Sequence, residues 1–405
     1  MTTLKILIIS QYFPPEIGAA ATRWSEYSNI LADMGHDVTM LCELPNYPSG
    51  VIEEGYPRYW YFNEGTLKEN LHVVRAPVWA NSRKTTFQRL GFYLSFMVSA
   101  TLRALLLPKY DVILVSSPPL FVGLIATFLR PFKRAKYILD LRDIWPESAR
   151  ALGEIKSGKM LTFGRFLERM VYRSVDHFFL AVPGFKSYLN TQHSRHESKS
   201  KFDLVNGVSN SFINLLEEHN FIAPKDRFTV LFSGNVGLAQ GLETILDAAA
   251  QLVEEHISFE IIGDGAKKAD LIKYSDSLGL TNVTFIPSMS RDKLVGHILS
   301  AHICLVPLVK SDLFLNAIPS KMYEYMAAGK PVIVGIKGEV ESILIDSQAG
   351  ISIEPEDAQV LAKTILEYAR SSARVKDEGL RGKAFISSRM TKEAIMKDVI
   401  GQLLD

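Results

Sequence analysis

The stretch Leu315–Val334, LNAIPSKMYEYMAAGKPVIV, carries the residues best suited to chemistry. Pro319 can open a helix, because the N–H it lacks would be unsatisfied there in any case. Ser320 then heads the first turn, and Lys321 and Glu324 follow one turn apart on one face. Such an N-terminus presents free backbone N–H groups and the positive end of the helix dipole, an arrangement that holds anions. A diphosphate suits it. The Lys321 ammonium would add a point charge for phosphate oxygens, and the Glu324 carboxylate could accept both hydroxyls of a ribose. By pattern alone, the same residues also describe a capped surface helix with an exposed Lys–Glu pair.

A second constellation is LDLRDIWPES, Leu139–Ser148, where Arg142, Asp143 and Glu147 follow a buried strand at the sheet edge that binds ligands in open α/β folds. Asp143 could bind a sugar hydroxyl or serve as base towards an acceptor, with Arg142 and Glu147 beside it on the acceptor side. The structural alternative is an Arg142–Asp143 ion pair next to Trp145. IIGDG supplies Gly263, Asp264 and Gly265 at a strand-to-helix turn suited to approaching a nucleotide, a weak signal in isolation. The sequence has no Asp-x-Asp motif, and neither a metal nor another cofactor is expected.

Positioning these groups requires elements that alternate. Short runs rich in Ile, Leu and Val, each followed by a helical pattern, predict an α/β fold with parallel sheets covered on both faces. Strands are expected at 5–10, 37–42, 72–76, 112–116, 137–140 and 177–182 in the first half. In the second half they are expected at 228–233, 259–263, 283–286, 303–307, 331–335 and 350–353. The polar stretch at 194–201 precedes the change of domain, which gives a first domain at 1–206, a linker at 207–225, a second domain at 226–388 and a C-terminal helix at 389–405 that can cross back. At 405 residues the chain suits two cores. Two such domains would place a ligand in the cleft between them.

Composition narrows the function. A formal net charge of +1 provides no bulk positive field, so nucleic acid is not expected as a partner. Cys42 and Cys304 lie in apolar runs and read as buried thiols of a reducing compartment. The N-terminal apolar run is short and β-branched and reads as a first strand rather than a signal peptide. Leu90–Leu107 approaches the length of a membrane span, but Arg103 interrupts it.

PSKMYEYMAAGKPVI, together with PPEIGAAATR, LFSGNVGLAQGLETIL and IIGDG, resembles retaining glycosyltransferase family four, whose fold is termed GT-B. LDLRDIWPES makes the pattern similar to transferases that build bacterial O-antigen, lipopolysaccharide and capsule repeats, including N-acetylfucosamine transferases. The resemblance implies two Rossmann-like domains, an acceptor on the first and a nucleotide sugar on the second. It implies a UDP-sugar donor, metal-independent transfer with retention, and Glu324 as a donor ligand. Gly18 falls where the family brings a glycine backbone against the donor phosphates, and Arg23 follows one turn later. There are departures too. Asn316 replaces the first of the family's two glutamates and carries no charge for an oxocarbenium ion. Asn235 and Gln240 occupy the positions of a diphosphate-binding Arg and Lys. Family members bind the base near Phe285–Arg291 through backbone groups.

Two alternatives stand beside a transferase: a nucleotide-sugar epimerase on the same scaffold, and a catalytically silent subunit that binds nucleotide or a partner protein. The segments Arg83–Leu107 and Leu120–Lys136 combine aromatic residues with Arg83, Lys84, Arg89, Arg130, Lys133, Arg134 and Lys136. That composition suits helices lying on an anionic membrane surface, and equally ordinary helices packed on a sheet. The first reading gives a cytoplasmic protein, peripheral on the inner face of the plasma membrane, with a polyprenyl-diphosphate-linked sugar as acceptor.

Overall fold

The computed structural model describes residues 3–16, 18–56, 62–151, 155, 157–192, 198–219, 226–311 and 314–404. Parts of the expected linker and of the polar stretch before it, 220–225 and 193–197, lie outside the described residues. The chain divides into two compact units, Met1–Asn206 with Ile395–Asp405, and Gly207–Ala394.

The first unit contains strands β1 (Lys5–Ile9), β2 (Asp37–Glu43), β3 (Phe62–Lys68), β4 (Leu71–Ala76), β5 (Val112–Ser117), β6 (Lys136–Leu141), β7 (His177–Leu180) and β8 (Lys201–Asp203). Its helices are α1 (Ala19–Asp33), α2 (Thr86–Leu106), α3 (Leu120–Leu129), α4 (Glu147–Ala151), α5 (Gly158–Ser174) and α6 (Phe185–Gln192). The sheet runs β3-β4-β2-β1-β5-β6-β7-β8 and is parallel except for β3, which lies antiparallel to β4. KILII of β1 is buried at its last four positions because neighbours cover both faces, and Ile9 registers with Leu41 and Val115. β3 and β8 were not expected: FNEGTLK has no apolar run, and KFD is three residues long.

The second unit contains β9 (Phe228–Ser233), β10 (Ile257–Ile262), β11 (Val283–Ile286), β12 (Ile303–Pro307), β13 (Val332–Gly335) and β14 (Gly350–Ser352). Its helices are α7 (Asn210–Glu218), α8 (Glu243–Gln251), α9 (Lys268–Ser277), α10 (Arg291–Ser300), α11 (Ser320–Ala327), α12 (Glu339–Ser347), α13 (Ala358–Ala369) and α14 (Ser372–Arg389), and the chain ends in α15 (Lys392–Leu404). The all-parallel order β11-β10-β9-β12-β13-β14 is the doubly wound dinucleotide-binding order, reversing between β9 and β12. α7 lies within the expected linker, and its Phe212 is buried in the core of the second unit.

The contacts of the two basic segments show which of their side chains are engaged within the first unit. α3 is a core helix, buried at Leu120, Val122, Gly123, Leu124, Ile125, Ala126 and Leu129. Arg130 forks onto Asp176 (2.7 and 3.1 Å), and the Lys133 ammonium donates to the carbonyls of Leu107 and Pro108 (2.6 and 2.9 Å). Both cations are tied to groups within the fold, with the Arg130 side chain still 43% exposed. α2 starts where Thr85 and Gln88 form a capping box, and it buries Phe92, Phe96, Ala100 and Ala104. Its outward face leaves Phe87, Leu90, Val98, Leu102 and Leu106 exposed, and α5 likewise exposes Met160, Phe163 and Phe166. Among the described residues no helix is long and apolar enough to cross a membrane.

Candidate functional site

In the second unit, the reversal of strand order leaves β9 to end at an open position, and α11 is fastened there. Its Tyr325 hydroxyl, fully buried, meets the N–H and Oγ of Ser233, each at 2.9 Å. That anchor brings Lys321 over the ring of Phe232, with Nζ 4.2 Å from its centroid. Gly234 follows at φ 134°, a conformation that favours glycine, and a Cβ there would sit 2.6 Å from Lys321 Nζ and push that ammonium aside. Burial pulls the Lys321 pKa down to about 8. No side chain caps the N-terminus of α11, which opens at Pro319 and Ser320. A poorly solvated ammonium, an uncapped helix N-terminus and a glycine turn thus converge where strand order reverses, and together they can hold a diphosphate.

Glu324 does not pair with Lys321. Its Oε1 accepts from Arg291 Nη2 at 2.5 Å, and the Arg291 guanidinium stacks 4.5 Å from the ring of Phe212. Arg291 had no side-chain role in the sequence reading, because its partner lies 33 residues away and nothing local marks the contact. Among the described residues the other oxygen of Glu324 makes no hydrogen bond. Substituting Glu324 by alanine is expected to lower transfer by roughly tenfold or more, the worth of a charge-assisted hydrogen bond, with melting temperature held within about 2 °C. Steady-state kinetics and a thermal melt check it, and wild-type rates would remove Glu324 from the donor site.

The other expected donor residues differ in what they touch. Asp264 accepts from Lys268 Nζ (2.7 Å) and from the Ser288 N–H (2.8 Å), contacts that hold its pKa far below the carboxylate range. It therefore links the turn after β10 to the one after β11. Gly263 has its own structural reason, since a Cβ there would meet the Gly234 carbonyl oxygen at 1.9 Å. Gln240 accepts from the Gly237 N–H (3.2 Å) within the short 3-10 turn Leu238–Gln240. Asn235 is exposed beside Gly234, and Asn316 is exposed in the turn that precedes α11.

In the first unit, Gly18 is the N-cap of α1, with φ 164° and ψ 160°, and a Cβ there would meet nothing within 4 Å. Neither backbone conformation nor internal packing demands glycine at that position. Arg142 and Asp143 do not form the ion pair considered as an alternative. Arg142 instead donates to the Pro118 carbonyl (2.7 Å) and lies 3.6 Å from Asp140, while Asp143 accepts from the Ser148 hydroxyl (2.8 Å). Glu147 is tied to Arg165 at 2.6 Å, joining α4 to α5. Asp143 thus keeps one carboxylate oxygen for a ligand, and Asp143→Asn is expected to lower kcat about tenfold or more while leaving the donor KM within about twofold. Unchanged turnover in initial-rate kinetics would leave Asp143 with its Ser148 contact alone.

Arg23 reaches no ligand edge. It is buried and donates to Asp140 (2.8 Å), to the Leu204 carbonyl (2.7 Å) and to Asn206 Oδ1 (2.6 Å), and Asp140 also accepts from the Ser116 hydroxyl (2.8 Å). Asp140 was not singled out from the sequence, although its place as a lone acid inside the strand run YILDL was a usable signal. Among the described residues no group of three or more His, Cys, Asp or Glu could hold a metal ion.

Comparison with known proteins agrees with this layout. A glycosyl transferase 4-like domain matches residues 18–198, and the glycosyl transferases group 1 family matches 217–381. The protein is a GT-B glycosyltransferase. It is 25% identical to WcaI of Escherichia coli K12, named as a colanic acid biosynthesis glycosyl transferase, over 99% of this chain and 100% of that protein. Among solved structures it resembles sucrose-phosphate synthase of Thermosynechococcus elongatus, with a TM-score of 0.72, 19% identity and coverage of 99% and 98% of the two chains. It also resembles Anabaena HepE in complex with UDP and glucose, with a TM-score of 0.66, 15% identity and coverage of 99% and 100%. The transferase has the doubly wound, Rossmann-like strand order in its second unit.

Proposed function

We propose that this glycosyltransferase moves a sugar, an N-acetylated amino sugar such as L-FucNAc, from a UDP-sugar to a polyprenyl-diphosphate-linked glycan, with retention and without a metal, during O-antigen or capsule assembly. The observation that carries the reading is Lys321, an ammonium desolvated over Phe232 beside an uncapped helix N-terminus, a ready counter-charge for a leaving diphosphate. The match to WcaI supports a role in polysaccharide biosynthesis, and the UDP bound by HepE supports uridine as the base. Glu324 would take the ribose, Gly18 would bring its backbone to the phosphates, and Asp143 would address the acceptor hydroxyl. In this reading Asn235, Gln240 and Asn316 replace charged family groups, which leaves Lys321 to carry more of the phosphate charge.

The outward apolar residues of α2 and α5 support a peripheral position on the inner face of the plasma membrane. Of the basic cluster, Arg134 is exposed and, among the described residues, makes no fastening contact of the kind that Arg130 and Lys133 make, so charge reversal at Arg134 tests membrane binding without breaking the fold. Incubation with a panel of nucleotide sugars and a lipid-linked acceptor, read by mass spectrometry and with the anomeric configuration read by NMR, tests the whole reading. Transfer from UDP-sugars in the presence of a chelator, with retention, is expected. No transfer from any donor would favour the silent-subunit alternative, which the neutral Asn316 keeps in play.

A further inference from the structure

Arg83 lies in the loop between β4 and α2, at the carboxyl edge of the first unit's sheet. Its backbone is in the left-handed region at φ 53°, a strained setting for a residue with a side chain, and its N–H donates to Asn81 Oδ1 (2.8 Å). The guanidinium lies over two rings, 4.8 Å from that of Phe92 and 5.2 Å from that of Tyr47. It donates to two neutral oxygens, Asn46 Oδ1 (3.3 Å) and the Pro48 carbonyl (2.8 Å). Among the described residues no carboxylate lies within ion-pairing distance of it, as one does for Arg75 and Arg130. Glu43 is close but already holds the amides of Gln11 and Asn46, and burial raises its pKa well above the usual range, which weakens it as a counter-charge. Arg83 is therefore a held cation with no ion-pair partner among the described residues.

The surface beside it is apolar. Trp79 is 47% exposed and meets the ring of Phe87, 73% exposed, edge-on at 5.9 Å. Gly91 makes room for the indole, since a Cβ there would lie 2.2 Å from Trp79 Cζ3. From Phe87 the exposed stripe continues through Leu90, Val98, Leu102 and Leu106 along the 21 residues of α2, a length of roughly 30 Å. Residues 83–110 contain no acidic side chain to repel an anion. One fixed cation at the head of a long apolar ridge fits an amphipathic anion, and neither half alone specifies it.

We infer that Arg83 receives the diphosphate of the lipid-linked acceptor, and that Trp79 and Phe87 carry the first isoprene units of its chain, which continues along the outer face of α2. This rests on the acceptor class proposed above and assigns the residues that would recognise it. The full-length protein, saturated with UDP so that the donor phosphate site is filled, is titrated with farnesyl diphosphate, farnesol and inorganic diphosphate. Farnesyl diphosphate should bind at least about tenfold more tightly than either fragment, and Arg83→Gln should remove at least about tenfold of that affinity while leaving farnesol unchanged. Phe87→Ser should weaken farnesyl diphosphate and spare inorganic diphosphate, and it keeps the test open if the Arg83 variant does not fold. Equal binding of farnesyl diphosphate by wild type and Arg83→Gln would overturn the assignment. So would a parallel loss of co-sedimentation with phosphatidylglycerol vesicles in Arg83→Gln, which would make Arg83 a general headgroup contact. Transfer measured on the same protein separates the two readings: transfer to a lipid-linked acceptor without farnesyl diphosphate binding sinks this inference alone, whereas transfer only to a water-soluble glycan sinks the acceptor class itself.

Discussion

Lys321→Ala is expected to lower kcat/KM by roughly 100-fold, because a charge-assisted phosphate contact contributes about 1.5–3 kcal/mol and Asn235 and Gln240 supply no second cation nearby. The free ammonium titrates at about 8, since burial over Phe232 disfavours its charged form. A bound diphosphate favours that charge, so binding takes up a proton near this pH. UDP affinity should accordingly fall as pH rises above about 8, by up to about tenfold per unit, and Lys321→Arg should flatten the profile because guanidinium stays charged. Calorimetric titration with UDP from about pH 7 to pH 10 reads both effects. The linkage also has a stability side. The folded pKa lies below the unfolded value of 10.5, so this group favours folding above 10.5, and the gain is lost as pH falls through about 8. At pH 7 the folded state therefore carries a penalty, and Lys321→Met should melt higher than wild type while losing activity. A lower melting temperature together with normal UDP binding would return Lys321 to the packing of α11.

Much of this was legible because parallel strands buried on both faces announce themselves as apolar runs. All six strands of the second unit overlap the expected runs, with β10 starting at Ile257, two residues before the expected 259. β3 was hidden because an antiparallel edge strand such as FNEGTLK needs no apolar face, and its pairing with β4 is irregular. That Lys321 and Glu324 lie one turn apart on one helix could be read from helical spacing alone. Phe232 beneath Lys321 and Arg291 on Glu324 could not, since each arrives from another strand or helix and only the sheet topology makes them neighbours. The basic segments show the converse difficulty. FLRPFKRAK has the composition of a membrane anchor, yet Arg130 and Lys133 spend their charge on Asp176 and on two carbonyls. Charge read from sequence does not say whether solvent, lipid or the protein's own backbone receives it.

Arg23→Met is expected to destabilise the protein by about 3–5 kcal/mol, the range for breaking a buried pair by removing one partner. Arg23 and Asp140 have side chains 2% and 0% exposed, so without the guanidinium Asp140 keeps the Ser116 hydroxyl and a guanidinium 3.6 Å away that is itself anchored on Pro118. The loss extends beyond one pair. Arg23 also holds the carbonyl of Leu204 and the side chain of Asn206, and Tyr27 donates to the Val205 carbonyl at 2.6 Å, so α1 pins the segment 204–206 at the end of the first unit. The same helix begins at Gly18, and the strand bearing Asp140 runs on into Arg142 and Asp143. Slackening this anchor should therefore disturb both proposed ligand positions of the first unit while leaving UDP binding, assigned chiefly to the second, comparatively intact. Asp140→Asn alone should cost less, because an amide can stay hydrogen-bonded to Ser116, and adding it to Arg23→Met should recover at least about 1 kcal/mol, since the isolated buried charge is then gone. Urea denaturation of the four proteins measures that cycle. Strict additivity of the two single variants would show that the pair is not coupled, and that Arg23 stabilises the fold only through Leu204, Asn206 and the aromatic rings beside it.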